Sequence, residues 1–114
     1  MRPLFQLFVE HSMKIQRVDA RPEADFERGH LANAVSLTPD SVLVLAETEL
    51  RDKTAHIQVY ASQSGDDQAS QTQNELQKLG FQNVELLPFG WNDRPTTEKT
   101  EVGPARWEIL GCGG

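Results

Sequence analysis

The chain is poor in cysteine, in long apolar runs and in positive charge, and each shortage excludes something. Its one cysteine, Cys112, rules out an intrachain disulfide, and with it a small secreted domain held by a disulfide framework. No apolar run approaches the ~20 residues that a membrane-spanning helix needs, so no membrane is expected as a partner. The N-terminal stretch MRPLFQLFVEHSMK carries a short apolar patch that Gln6 and Glu10 interrupt. That is not the pattern of a secretory signal, and a cytoplasmic location is the expectation. Eleven Lys and Arg against seventeen Asp and Glu give a net charge of -6. Nucleic acid and anionic lipid both call for basic patches, so this balance argues against either. His11, His30, His56 and Cys112 lie at no metal-ligand spacing, and neither a metal nor another cofactor is expected.

What is present fits one domain. A chain of 114 residues buries roughly two-thirds of its unfolded surface and can hold a core without staples. Residues 4–9, LFQLFV, read as a first strand, and residues 14–20, KIQRVDA, as a second with Ile15 and Val18 inward. RPEADFERGH follows as a short helical turn, opened by Pro22 and closed by Gly29. After a brief strand at residues 34–37, Thr38 is an N-cap and Pro39 a first helical residue. Val42, Leu43, Ala46 and Leu50 of that helix fall at core-facing spacing. HIQVYA, residues 56–61, has the β-branched and aromatic bias of a central strand. A Gln-rich helix with Ala69, Thr72, Leu76 and Leu79 on one face comes next, ended by Gly80, and then the strand NVELL. From Pro95 to residue 114 periodicity is lost. This stretch reads as a C-terminal tail, docked or disordered, with Val102, Trp107 and Ile109 as its docking candidates. Alternating strands and helices predict an α/β domain over residues 1–94, with a central parallel sheet and helices on both faces.

The loop between the central strand and the Gln-rich helix is unusual. VYASQSGDDQAS has the grammar of a strand, a polar turn and a helix start, an arrangement that cradles anions or presents a nucleophile. Yet Ala61 stands at the strand end, and Asp66 and Asp67 stand where positive charge would help an anion.

Two segments together resemble rhodanese-like domains. VDARPEADFERGHLANAVSL is similar to their first signature, an Asp-x-Arg strand end followed by Phe and Gly-His. IQVYASQSGDDQASQTQNELQKLGFQNVELLPFGW is similar to their active-site strand, loop, helix and final Gly-Trp turn, so the resemblance spans residues 14–94. It implies sulfur transfer through a cysteine at the end of the central strand. In that family inward-pointing loop amides and the helix N-terminus lower the thiol pKa and hold an anionic donor such as thiosulfate. With another loop length, the same architecture resembles certain cell-cycle phosphatases and arsenate reductases.

Here the departures gather in the loop. The resemblance puts the nucleophile at Ala61, whose methyl group carries no sulfur. Counted back from Leu79 and Gly80, the loop is about two residues longer than the sulfurtransferase form, and its basic closing residue is missing near Asp66 to Gln68. Two unit charges about 8 Å apart at an effective dielectric near 20 interact by roughly 2 kcal/mol, a penalty an aspartate would impose on a bound anion. Phe89 replaces the first glycine of the family's glycine pair.

One of Asp66 and Asp67 is expected to cap the following helix. Ser62 and Ser64 are not read as nucleophiles, because no histidine lies in the loop to serve as general base. Asp19 and Arg21 are expected to pair at the strand end, and His30, beside Gly29, to bond local backbone. Cys112, in GCGG, reads as an exposed thiol open to oxidation. The expectation is an inactive rhodanese-like domain that binds another protein through residues Ala61, Ser62, Gln63, Ser64, Gly65, Asp66, Asp67 and Gln68. The alternative is a working sulfurtransferase, with Ala61 replacing a native cysteine or with sulfur carried by Cys112 or a partner.

Overall fold

The computed structural model describes residues 15–50 and 52–104. In chain order it runs β1 (Ile15–Asp19), α1 (Glu23–Arg28), β2 (His30–Leu31), β3 (Ala34–Ser36), a 3-10 turn (Pro39–Ser41) and α2 (Val42–Glu49). It continues with β4 (His56–Tyr60), α3 (Asp67–Lys78), β5 (Asn83–Leu86) and β6 (Thr100–Glu101). Four strands form the central sheet in the order β3-β1-β4-β5, all parallel. This is the α/β architecture with a flanked parallel sheet that the sequence predicts. The strand expected at residues 4–9 lies outside the described residues.

Alternation along the strands divides the core. Val18 is paired with Val35 on one side and Val59 on the other, and Ile57 with Val84. Val18, Ile57, Val59 and Val84 join one apolar cluster with Val42, Ala46 and Leu50 of the α2 region and Ala69 and Leu76 of α3. Tyr60, one residue out of phase with Val59, belongs to a second cluster with Leu31 and Leu87, against which Phe89 and Trp91 pack.

The helix starts follow local chemistry. Thr38 and Ser41 bond reciprocally, each side chain accepting from the other's backbone N–H, so the chain makes one 3-10 turn before α2 proper. Along α2 the buried stripe is Val42, Ala46 and Leu50, spaced by four. Leu43, expected on that stripe, is instead 70% exposed beside Val44, because it lies about 100° around the helix from Val42. Ile15 is also half exposed, at the open start of β1, whereas Val18 is fully buried.

Residues 95–104 wrap back over the domain by polar contacts. β6 pairs antiparallel with β2, setting Glu101 opposite His30 and Thr100 opposite Leu31. Arg17 Nη1 bonds Glu98 at 2.5 Å, Ala32 N–H donates to Lys99 O, and Gly103 N–H to Glu27 O. Val102, a predicted docking residue, is exposed and anchors nothing. Trp107 and Ile109 lie outside the described residues.

Because the four sheet strands are parallel, the segments after β1, β3, β4 and β5 all leave at one edge. That edge carries the candidate site.

Candidate functional site

Tyr60 ends β4, and the chain turns out of the sheet through Ala61–Asp66 into α3. The segment after β5 continues alongside it. Leu87 N–H donates to Val59 O, Trp91 N–H to Ala61 O and Asn92 N–H to Ser62 O, the last two at 2.8 Å. This lateral contact needs a glycine. A β-carbon on Gly90 would sit 2.6 Å from the carbonyl carbon of Ser62 and closer still to the backbone of Gln63. Phe89 takes the place of the family's first glycine without closing this approach, since the tight contact is made at position 90.

Ala61 is 1% exposed and lies in the first apolar cluster with Val59 and Ala69. Beyond it, Asp66 N–H bonds Gln63 O, forming a turn over Ser64 and Gly65. Gln63, Ser64, Gly65 and Asp67 are exposed, while Ser62, Asp66 and Gln68 are half-buried. Asp66 caps α3, its Oδ1 accepting from Gln68 N–H at 3.0 Å, and Asp67 adds a second carboxylate in the first turn. Both charges complement the positive end of the helix. No hydrogen bond joins Ser62 or Ser64 to a histidine among the described residues.

Behind the loop lies a buried polar knot. Asp19, fully buried, accepts from Arg21 N–H at 2.9 Å, from Arg21 Nη2 at 2.7 Å and from the Tyr60 hydroxyl at 2.8 Å. Arg21 Nη2 also donates to Gly29 O at 2.5 Å, and Tyr60 Oη accepts from Leu31 N–H. The knot thus ties β1, β4 and the end of α1 together. Burial, seconded by the Asp19 charge, pushes the Tyr60 phenol well above its ordinary pKa. Burial alone would lower the Arg21 pKa, yet the Asp19 hydrogen bonds and charge carry it above its usual value. His30, also buried, stacks on Phe26 at 3.7 Å and bonds Phe26 O through Nδ1 at 2.8 Å. A carbonyl only accepts, so the proton sits on Nδ1.

A cavity of about 280 Å³ opens between α1 and the loop, with Arg21, Asp25, Arg28, Gly29, Ser62, Trp91 and Asn92 in its wall. Arg21 lies 4.9 Å and Arg94 3.7 Å from the Trp91 ring centre. The Trp91 ring fills the space beside Gly29, where a β-carbon would meet it at 2.7 Å. A wider groove, about 590 Å³, runs between Pro39 and the later turns of α3, away from this convergence of polar groups. Among the described residues no group of three or more His, Cys, Asp or Glu side chains is placed to hold a metal ion. No described helix is long and apolar enough to cross a membrane.

The structure therefore brings Asp19, Arg21 and the Gly29 carbonyl into one knot, keeps His30 beside it on Phe26, and places residues 61–68 after the strand that carries Tyr60. Cys112 lies outside the described residues. Sequence reasoning overlooked Tyr60 and Trp91 as parts of the site. The signal for Tyr60 was a polar-tipped aromatic beside Val59 at the end of the central strand, where a buried hydroxyl usually finds a hydrogen-bond partner.

Comparison with known proteins agrees with this geometry. The family model described as Rhodanese-like domain matches residues 8–93. The rhodanese-like domain of the Alr3790 protein from Anabaena sp. superposes with a TM-score of 0.68 at 27% identity, over 79% of this chain and 83% of that one. A rhodanese with anions from E. coli superposes at 0.65 with 21% identity, over 79% of this chain and all of that one. Thiosulfate sulfurtransferase from Pseudomonas aeruginosa gives 0.68 at 20% identity, over 82% of this chain and 18% of the enzyme. These last two likenesses establish the fold alone. No protein of curated function matches the chain significantly.

Proposed function

The chain belongs to the rhodanese-like family, and from that premise we propose that it carries out no sulfur transfer at this loop and acts as a binding or regulatory module. The observation that carries this reading is the Asp66 cap. The helix N-terminus that would attract an anionic sulfur donor already holds the chain's own carboxylate on Gln68 N–H. Asp67 sits one residue on. A thiosulfate approaching this end would meet like charge rather than free amides.

Ala61 supports the same reading. Its side chain has no nucleophile, and it is packed into the core. The exposed rim, Gln63 to Gly65 with Asp67, offers hydrogen bonds and negative charge, which suit a polar or cationic protein surface.

The test is intact mass after incubation with thiosulfate, with and without prior alkylation of Cys112. No added sulfur in either sample is the expected outcome. One added sulfur that alkylation abolishes would overturn the reading and make Cys112 a persulfide carrier.

A further inference from the structure

Away from the candidate site, a second hollow of about 340 Å³ lies between the start of β1, the β2–β3 turn and the returning segment 95–104. Ile15 and Arg17, two residues apart, face the same side of β1 as Asp19. Ile15 begins that strand and Asp19 ends it, so at ~3.3 Å per residue the hollow starts about 13 Å from the edge that carries the candidate site. Ile15 and Ala32 supply the apolar part of its wall, and Arg17, Asn33, Thr97, Glu98 and Lys99 the polar part.

That wall is rich in donors that have no acceptor. Arg17 is held in place, with Nε donating to Gln58 Oε1 at 3.1 Å and Nη1 to Glu98 Oε1 at 2.5 Å. Its Nη2 carries two further N–H groups, which have no partner among the described residues. Lys99 is exposed, and its ammonium has no partner there either, nor have the Thr97 hydroxyl and the Asn33 side-chain amide. The one carboxylate in the wall, Glu98, is engaged by Arg17. Just outside the wall, Glu101 accepts from Asn33 N–H and lies 3.5 Å from His30 Nε2. Two cations therefore stand in the wall against one carboxylate that is already bonded. Beside them Ile15 is 51% exposed, an aliphatic side chain left half bare.

We propose that this hollow binds a small organic carboxylate with a short apolar tail, its head on Arg17 Nη2 and Lys99 and its tail on Ile15 and Ala32. Free groups that chiefly donate call for a ligand that accepts, and the surplus cation calls for an anion. A volume of about 340 Å³ suits a small organic molecule. Gln58 and Glu98 already fix Arg17, so little side-chain freedom is lost there on binding, whereas Lys99 must be ordered. Glu98 keeps the attraction modest, so contact with Ile15 sets the preference among carboxylates. Thr97 and Lys99 belong to the returning segment, and Ile15 and Arg17 to β1, so an occupant bridges the two. The site does not depend on what the Ala61 loop does, because that loop leaves the other end of the strands.

The experiment is a titration of the full chain followed by its backbone amide resonances, with sodium hexanoate, sodium acetate and uncharged hexanamide in turn, at constant ionic strength. Saturable shifts at Asn33, Thr97 and Lys99 with hexanoate are expected, with acetate weaker by about threefold or more and hexanamide not saturating. Lys99→Gln, at an exposed position whose backbone bond to Ala32 is kept, should weaken hexanoate by about threefold or more. Ile15→Ser should erase the preference for hexanoate over acetate. Shifts that stay linear with hexanoate concentration overturn the proposal. So does hexanamide or acetate that binds as tightly as hexanoate, or a Lys99→Gln variant with unchanged affinity.

Discussion

Gly90 lies against the backbone of Gln63 so closely that no side chain fits between the segments after β4 and β5. The obstacle is main chain, which cannot swing aside like a flexible side chain. Gly90→Ala should therefore push the two segments apart and cost about 1–3 kcal/mol, the usual range for overpacking. Thermal unfolding should show a drop of several degrees, and the Trp91 and Asn92 amides should exchange faster. An unchanged melting temperature would mean the two segments can separate freely.

A thiol placed at position 61 should not create sulfur-transfer chemistry. In Ala61→Cys the sulfur would enter a position packed at 1% exposure, beside a helix end already occupied by Asp66. Thiocyanate formation from thiosulfate and cyanide is expected to stay at the level of a heat-denatured control. Turnover at ordinary sulfurtransferase rates would show that the loop is competent and that only the side chain was missing.

Tyr60 makes alkaline stability informative. Its phenol is held protonated above its ordinary pKa, first by burial and then by Asp19. A raised folded-state pKa gives stability that is complete below the unfolded value, about pH 10, and is lost as pH rises beyond it. The denaturant midpoint should thus fall more steeply above about pH 10 in the wild type than in Tyr60→Phe. The chain contains one tyrosine, so phenolate absorbance reports this group alone, and it should appear only with unfolding. Near neutral pH, Tyr60→Phe should cost about 1–3 kcal/mol, since it leaves Leu31 N–H and Asp19 each short of a buried partner.

The 95–104 strap can be weighed by truncation. A chain ending at residue 94 loses the Glu98 bond to Arg17, the Lys99 bond to Ala32 and the β2–β6 pairing. At roughly 1 kcal/mol per hydrogen bond, it should be several kcal/mol less stable than one ending at residue 104, yet still fold around the central sheet. Equal melting temperatures for the two would show that the strap merely rests on the surface.

Much of this was legible in the sequence where the governing interactions are local. The Thr38 cap, a cap by Asp66 or Asp67, which the structure gives to Asp66, and the buried face of α3 each depend on residues within one or two turns of each other. Other features were not legible. Leu43 looks as suited to a core stripe as Val42, and only the rotation of α2 against the sheet turns it outward. Val102 looks like an apolar anchor, whereas the strap is held by Glu98, Lys99, Glu101 and Gly103 through polar and backbone contacts.

By itself, the sequence determined the α/β character of the domain, the place of the loop at the end of the central strand, and the alanine at position 61. Those follow from periodicity, local capping and residue identity. The tertiary structure alone decided that Arg21 would be tied to Asp19 and Gly29, and that Gly90 would meet Gln63. The physical reason is that parallel pairing of β3, β1, β4 and β5 gathers segments distant in sequence at one edge, where hydrogen bonds and close packing between them set the site.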